Sequence, residues 1–285
     1  IVIKANLLKE IMERDERIYL IGSYHKFRDK IINSLPGKEF SDPRTHRQSS
    51  TAKLVYDDLE KAEKCPVALS VFPKGKSRGT MSYVEIGVSY SHGNFLIIDD
   101  EGEKDPVLEK ISDVYLDSLD AAIEYIRTMP EYKKTLKEIQ SKYPAGFTGE
   151  IPLKKILLCG TKTNKLEKTA ERVMKKTQKE VVFNEDAAKE IARIDQYDLV
   201  VANFPGNQDW DRAACLLMGG AYAHDISVLI MDDHEWKYPP LQAVARRQCT
   251  EDNLEEYLLE VENLNITSEA VNMYNFFKRE SEKYN

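Results

Sequence analysis

The sequence of 285 residues lacks the paired cysteines typical of zinc-binding and disulfide-linked proteins and the long apolar runs typical of membrane proteins. Its cysteines form no CxxC pair and match no common zinc spacing. We therefore expect reduced thiols, mostly buried, in a reducing cytoplasmic compartment. No apolar run approaches the ~20 residues of a membrane span, so we expect no membrane partner. The four cysteines are Cys65, Cys159, Cys215 and Cys249.

Other absences narrow the function. The net charge of −7 lacks the basic excess typical of nucleic-acid binding, so no nucleic-acid partner is expected. The histidines at 25, 46 and 92 are scattered, and we expect no metal site. No GxGxxG follows the first predicted strand, which argues against a dinucleotide cofactor, and no other cofactor is expected. The N-terminus, Ile1 to Arg14, predicts an amphipathic helix with acidic residues, not a signal peptide.

The order of apolar segments indicates an α/β fold. Short apolar runs alternate with longer amphipathic stretches, as in βα units around a parallel sheet. The segment from Tyr143 to Pro152 holds two prolines and two glycines and predicts a linker. Domains are therefore expected over residues 1–142 and 153–285. In the first, strands are predicted at 17–22, 67–72 and 94–99, and helices at 25–33, 49–63, 80–92 and 116–129.

The second half of the chain repeats the first. KILLCG at 155–160 matches RIYLIG at 17–22, and DLVVANFP at 198–205 matches VALSVFP at 67–73. The stretch 218–233 aligns without gaps on 85–100, and both end in an Asp-Asp pair. These matches predict an internal duplication. The expected fold is α/β, with two tandem flavodoxin/Rossmann-like units, each a parallel sheet of four to five strands flanked by helices.

Ligands of open parallel sheets bind at the carboxyl ends of the strands. In the first unit, the residues expected at that edge are Gly22 and Ser23, the loop DPRTHRQ at 42–48, and the stretch PKGKSRGTMSYVE at 73–85. Glu85 is the sharpest feature, because it lies in the first turns of a helix whose sequence is otherwise mostly small and apolar. A carboxylate there either decorates the helix N-terminus, which the helix dipole favours, or is a reactive group.

The run GTMSYVEIGVSYSHGNFLIID at 79–99 resembles the signature of the nucleoside 2-deoxyribosyltransferase family, which includes 2-deoxynucleoside 5′-monophosphate N-glycosidases. The first strand, with Tyr19, and the helix segment Tyr56 to Leu59 resemble the family in the same order. The resemblance covers most of residues 17–129 and, more weakly, 154–263. It implies that Glu85 is a nucleophile, held by a hydrogen bond from Tyr19, and that Asp58 (or its neighbour Asp57) is a general acid or base.

The resemblance also implies cleavage or transfer at the N-glycosidic bond of a (2-deoxy)nucleoside or its 5′-monophosphate, through a covalent glycosyl-Glu85 intermediate. The stretch Arg78-Gly79-Thr80 departs from the residues that family members use to hold a sugar hydroxyl or a phosphate. Nucleoside and monophosphate therefore both stay open, although a phosphate is favoured by several nearby groups. The expected substrate-binding residues are Gly22, Ser23, Arg44, His46, Arg78, Gly79 and Thr80.

In the repeat alignment, Glu85 corresponds to Met218 and Tyr19 to Leu157, so the second unit is expected to have lost catalysis. Family members are oligomers in which a neighbour completes each pocket. The resemblance thus implies either a homo-oligomer or an intrachain pseudo-dimer. The loop GNQDWD at 206–211 is an alternative second ligand site. Two other readings stay open for the whole chain: a nucleotide-binding or sensing module without turnover, and an unrelated flavodoxin-like or Rossmann-like enzyme.

Overall fold

The computed structural model describes residues 17–22, 25–46, 51–102, 104–129 and 149–265. The predicted N-terminal helix, Ser23, Arg47 and residues 143–148 of the predicted linker lie outside the described residues. None of the described helices combines the length and apolar character that crossing a bilayer requires.

The first unit, residues 17–129, is a parallel α/β sheet. Its strands are β1 (Ile18–Ile21), β2 (Phe40–Ser41), β3 (Val67–Phe72), β4 (Phe95–Asp100) and β5 (Val114–Leu116). Its helices are α1 (His25–Ser34), α2 (Thr51–Lys64), α3 (Thr80–Ser91), α4 (Pro106–Ile111) and α5 (Leu119–Thr128). The strand order is β2-β1-β3-β4-β5, and every pairing is parallel. The central strand β3 is buried along its whole length, as its apolar sequence VALSVF requires.

The second unit, residues 149–265, has the same topology. Its sheet strands are β7 (Lys155–Gly160), β8 (Glu180–Phe183), β9 (Leu199–Phe204), β10 (Ser227–Asp232) and β11 (Arg247–Cys249). Its helices are α6 (Asn164–Lys176), α7 (Ala187–Ile191), α8 (Arg212–Ala223), α9 (Pro239–Val244) and α10 (Glu251–Glu260). The order β11-β10-β9-β7-β8 is the first unit's order read from the other edge. A short antiparallel pair, β6 (Glu150–Pro152) and β12 (Asn263–Asn265), joins the two ends of this unit. The fold class expected from the sequence is confirmed.

Matching elements of the two units set the register of the repeat. Strand β3 and β9, helix α3 and α8, and strand β4 and β10 each begin 132 positions apart. The gapless sequence alignment above used an offset one residue larger, and this is wrong. The turn after the helix shows the reason: Gly93 and Asp225, which are 132 apart, both have positive φ and close equivalent turns. The two Asp-Asp pairs are offset by one residue, so Glu85 corresponds to Leu217. Tyr19 does correspond to Leu157, since both pair with equivalent residues of the central strand.

The two units pack through helices α3 and α8. A Cβ built on Gly87 would lie 2.1 Å from the carbonyl oxygen of Leu216, and one built on Gly219 would lie 2.1 Å from the carbonyl oxygen of Val84. These two contacts are equivalent under the repeat register, so the helices cross about an approximate two-fold axis. Only glycine permits such close backbone approach. One apolar core extends across the crossing and contains residues of both units.

Candidate functional site

Glu85 lies in the second turn of α3, inside the core between the two units. It is 7% exposed, and Ile86 and Val88 beside it are fully buried. The Tyr19 hydroxyl donates a hydrogen bond of 2.9 Å to Glu85 Oε2. Tyr19 is itself completely buried on β1. The hydrogen bond predicted between these residues is therefore present, and it ties the carboxyl group to strand β1.

Asp58 approaches the same site from α2. Its Oδ1 lies 2.8 Å from Nδ1 of His46, and both side chains are largely buried. Asp57, the alternative in the sequence, instead pairs with Lys53 one turn earlier on the helix, at 2.5 Å. The choice of Asp58 over Asp57 is consistent with this arrangement, because only Asp58 acts electrostatically on Glu85.

Arg28, on α1, is a buried site residue that the sequence did not indicate. Its guanidinium pairs with Asp42 at 2.8 Å and donates a second hydrogen bond to the carbonyl oxygen of Gly22. Arg44 contacts the other oxygen of Asp42 at 2.6 Å and Asp29 at 2.6 Å. The predicted binding residues Gly22 and Arg44 thus lie in one network, which holds the loop after β2 against the end of β1, and His46 at the end of that loop contacts Asp58.

The environment of Glu85 raises its pKa to about 8. Burial is the largest cause and the negative charge of Asp58 the second, while the Tyr19 hydrogen bond and the positive charge of Arg28 act in the opposite direction. Burial also raises the pKa of Asp58, against the lowering effects of His46 and Arg28. Two carboxyl groups with raised pKa values so close together favour holding one proton between them near neutral pH. Such a pair suits chemistry in which one group attacks and the other donates a proton.

Three of the expected substrate-binding residues lie at the N-terminus of α3: Arg78, Gly79 and Thr80. The structure places the side chain of Arg78 away from the Glu85 site. Gly79 is the N-cap and Thr80 the first helical residue. The Arg78 guanidinium binds both oxygens of Asp100, at 2.7 and 2.6 Å, and lies 3.3 Å from Asp105. Among the described residues, the groups that shift the pKa of Glu85 are Asp58, Tyr19 and Arg28, and Arg78 is not one of them. Arg78 therefore belongs to a neighbouring cluster.

The second unit brings an aromatic cluster to the Glu85 site. Tyr238, just before α9, is half-buried, and its pKa is raised by burial and then by electrostatic interaction with the carboxyl groups of Glu85 and Asp58. Its ring lies 5.8 Å from that of Trp210 and 5.7 Å from that of Trp236. Trp210 also stacks on His234 at 4.3 Å. Trp210 lies in the GNQDWD loop, so this loop contributes to a cluster beside the Glu85 site.

The positions of the second unit equivalent to Glu85 and Tyr19 carry no ionisable group, whereas the position equivalent to Asp58 is the buried Glu190, which accepts a hydrogen bond from the Tyr197 hydroxyl at 2.5 Å. Leu217 and Leu157 replace Glu85 and Tyr19, and both are completely buried. Asp198, before β9, accepts hydrogen bonds from the backbone amides of Lys154 and Lys155 at 2.9 and 2.8 Å, which is a structural role. Within the described part of the chain, no cluster of three or more His, Cys, Asp or Glu side chains is arranged to hold a metal ion.

Comparisons with known proteins do not identify the chain. No protein-family model and no curated protein sequence matches it. The interpretation of the site therefore depends on its own geometry and on the sequence resemblance stated above.

Proposed function

We propose that the chain cleaves or transfers at the N-glycosidic bond of a 2-deoxynucleoside, with Glu85 as the nucleophile. The Glu85 carboxylate attacks C1′ of the sugar, the C1′–N bond breaks, and the base leaves with a proton from Asp58. A second base, or water, then attacks C1′ of the glycosyl ester and regenerates the carboxylate, while Asp58 recovers a proton. A negative carboxylate beside C1′ stabilises the oxocarbenium-like transition state.

The observation that carries this proposal is the buried Tyr19–Glu85 hydrogen bond beside Asp58. A carboxyl group buried in an apolar core is costly unless function or pairing maintains it. The hydroxyl of Tyr19 donates to Glu85 and favours its ionised form, against burial and the charge of Asp58, which together raise the pKa of Glu85 to about 8. The proposed reaction uses the form of the pair in which Glu85 is ionised and the shared proton is on Asp58.

The ion pairs around the site favour the unphosphorylated nucleoside over its 5′-monophosphate. Arg44 is held by Asp42 and Asp29, and His46 by Asp58. Arg78 is held by Asp100. A phosphate that used these cations would have to compete with carboxylates already in contact with them.

The second unit takes the place of a neighbouring subunit in this proposal. Tyr238 and the aromatic rings around it stand on the second unit but close to Glu85 and Asp58. Aromatic faces stack well on nucleobases, so this cluster suits the base of the substrate. The active site would then be an intrachain pseudo-dimer with one catalytic half.

The decisive experiment is a substrate panel read by chromatography of the released base. It contains deoxyribonucleosides, ribonucleosides and their 5′-monophosphates, each with and without an acceptor base. Wild-type protein is expected to release base from a deoxynucleoside, and Glu85→Ala to lose at least roughly a thousandfold in rate. Asp57→Asn, which changes the carboxyl group next to Asp58 in sequence, is the matched control and should keep most of the activity.

A covalent intermediate gives a second readout. A 2-deoxy-2-fluoroarabinosyl nucleoside should add the mass of its sugar to the wild-type chain and not to Glu85→Ala. Base release that persists in Glu85→Ala would overturn the mechanism. Binding of a nucleotide with no turnover of any member of the panel would instead favour the sensing module.

A further inference from the structure

The guanidinium of Arg28 joins two segments that follow neighbouring strands of the first sheet. Its Nη1 donates to Asp42 in the loop after β2, at 2.8 Å, and its Nη2 donates to the carbonyl oxygen of Gly22, which follows β1. Gly22 has a φ of +123°, and a Cβ there would lie 2.9 Å from a backbone oxygen of β3, so this turn requires glycine. Asp42 also caps the short helical turn Pro43–Thr45. Arg28, which is 8% exposed, therefore holds the two segments together from inside the protein.

These two segments carry groups that contact the proposed reactive pair. Strand β1 contains Tyr19, whose hydroxyl donates to Glu85 at 2.9 Å. The loop after β2 contains His46, whose Nδ1 lies 2.8 Å from Asp58 Oδ1. Arg28 thus connects, through its own hydrogen bonds, the segment that holds Glu85 with the segment that holds Asp58.

Arg28 also acts on this pair through its charge. Its positive charge lowers the pKa of both Glu85 and Asp58, against the larger effect of burial. Arg44 is a second guanidinium bound to Asp42, at 2.6 Å, so this shared carboxylate offsets the charge of Arg28 only in part. Arg28, and not Arg44, is among the described groups that shift the pKa of Glu85.

The second unit provides an internal comparison for Arg28. Gly160 corresponds to Gly22, since both have positive φ at the end of the first strand of their sheet and approach the central strand closely. Six residues later, the first unit has Arg28 and the second has Leu166. In both helices, this residue and those three and seven positions later are buried. Leu166 is therefore the counterpart of Arg28.

Asp42 has an apolar counterpart as well. By strand register it corresponds to Phe183, which packs against the same core cluster as Leu166. An ion pair in the first unit thus takes the place of two apolar residues in the second. Buried ion pairs can often be replaced by apolar residues without loss of stability, so the fold itself does not require this pair. The unit that has the ion pair is the unit that has Glu85 and Tyr19.

We propose that Arg28 is a positioning residue of the Glu85–Asp58 pair. It clamps the end of β1 to the loop after β2, and it supplies a buried positive charge that allows one carboxyl group of the pair to ionise while the other keeps a proton. Its effect on the rate of base release rests on the proposed function, whereas its effect on the ionisation of the pair does not.

The test is a pH titration of the carboxyl ¹³C shift of Glu85 in the full chain. Arg28→Leu introduces the residue that the second unit has at this position, and it should raise the pKa of Glu85 because a positive charge is lost. Arg28→Lys keeps the charge and should stay close to the wild type. Arg44→Gln, the control, removes the same charge from the other guanidinium bound to Asp42 and should leave the pKa of Glu85 unchanged.

The rate gives a second readout. Base release by Arg28→Leu should fall by about tenfold or more at neutral pH and recover at higher pH, because the nucleophile must be ionised. If circular dichroism shows that this variant does not fold, Arg28→Leu/Asp42→Asn removes the ion pair as a whole. The double variant should raise the pKa of Glu85 in the same way, since Asp42 is not among the described groups that shift it.

Three outcomes would overturn the proposal. The first is an unchanged pKa of Glu85 in the folded Arg28→Leu or double variant. The second is an equal rise in Arg44→Gln, which would show a general response to charge in this loop. The third is an equal rise in Arg28→Lys, which would show that the charge of Arg28 is not what acts on Glu85. If the wild type releases no base from any nucleoside, the proposed function fails, and the titration still decides the role of Arg28.

Discussion

Replacing Glu85 with glutamine tests the electrostatics of the site without any knowledge of the substrate. Glutamine keeps an oxygen that accepts the hydrogen bond from Tyr19, but it cannot ionise. The pKa of Glu85 rises from 4.5 to about 8 in the folded chain, chiefly through burial. The folded state therefore holds a proton that the unfolded state releases at lower pH.

The sign and size of the effect follow from linkage. Below pH 4.5, Glu85 is protonated in both the folded and the unfolded chain, and the free energy of unfolding of the wild type is not reduced by its ionisation. Between pH 4.5 and about 8, Glu85 ionises in the unfolded chain but not in the folded one, so the free energy of unfolding falls as the pH rises. At about 1.4 kcal/mol for each tenfold change in proton affinity, the displacement corresponds to about 5 kcal/mol. Relative to the wild type, Glu85→Gln should thus become more stable by up to about 5 kcal/mol between these two pH values.

The assay is urea unfolding followed by far-ultraviolet circular dichroism at several pH values between 4.5 and 8.5. The quantity compared is the difference in the free energy of unfolding between variant and wild type, which removes pH effects common to both. Glu171→Gln, an exposed position of α6, controls for the loss of one carboxyl group. A difference for Glu85→Gln that does not change across this range would refute the assignment of a raised pKa.

Further predictions concern the pKa of Glu85 and the helix crossing. Tyr19→Phe removes a hydrogen bond that lowers the pKa of Glu85, so this pKa should rise in the variant; Asp58→Asn removes a charge that raises the pKa, so it should fall. The pH dependence of the carboxyl ¹³C shift of Glu85 measures both changes, and two changes of the same sign would contradict the account. Gly219→Ala puts a methyl group 2.1 Å from a backbone oxygen of α3 and should destabilise the chain by about 1–3 kcal/mol or more in urea unfolding. Gly102→Ala, with 3.5 Å to its nearest neighbour, should have little effect, and equal losses would argue against the tight crossing.

Most elements of the first unit could be predicted because their signals are local. The strand at 67–72 is a short, mostly apolar run in the sequence, and all six of its residues are buried. The predicted helices over 25–33 and 80–92 end within a residue of the observed ones. Helix α4 and strand β5 were not predicted. They are six and three residues long, too short to show a period of their own.

The site shows where such reasoning stops. Glu85, Tyr19 and Asp58 were found because a family resemblance placed them in order along the chain. Arg28 joins Asp42, 14 positions away, and Arg78 joins Asp100, 22 positions away, in ion pairs without any sequence period. Tyr238 approaches Glu85 from the other unit. No local pattern marks such partners, because the contact is made only when separate strands and helices pack.

By itself, the sequence determined the α/β class, the duplication and the absence of counterparts of Glu85 and Tyr19 from the second copy, since these depend on apolar periodicity and on residue types. The tertiary structure alone decided the register of the repeat, the partner of each charged group and the difference between the two sides of the helix crossing. These features depend on the distances between atoms of segments far apart in sequence. Gly87 and Gly219 illustrate this, because their role becomes visible only when two backbones meet.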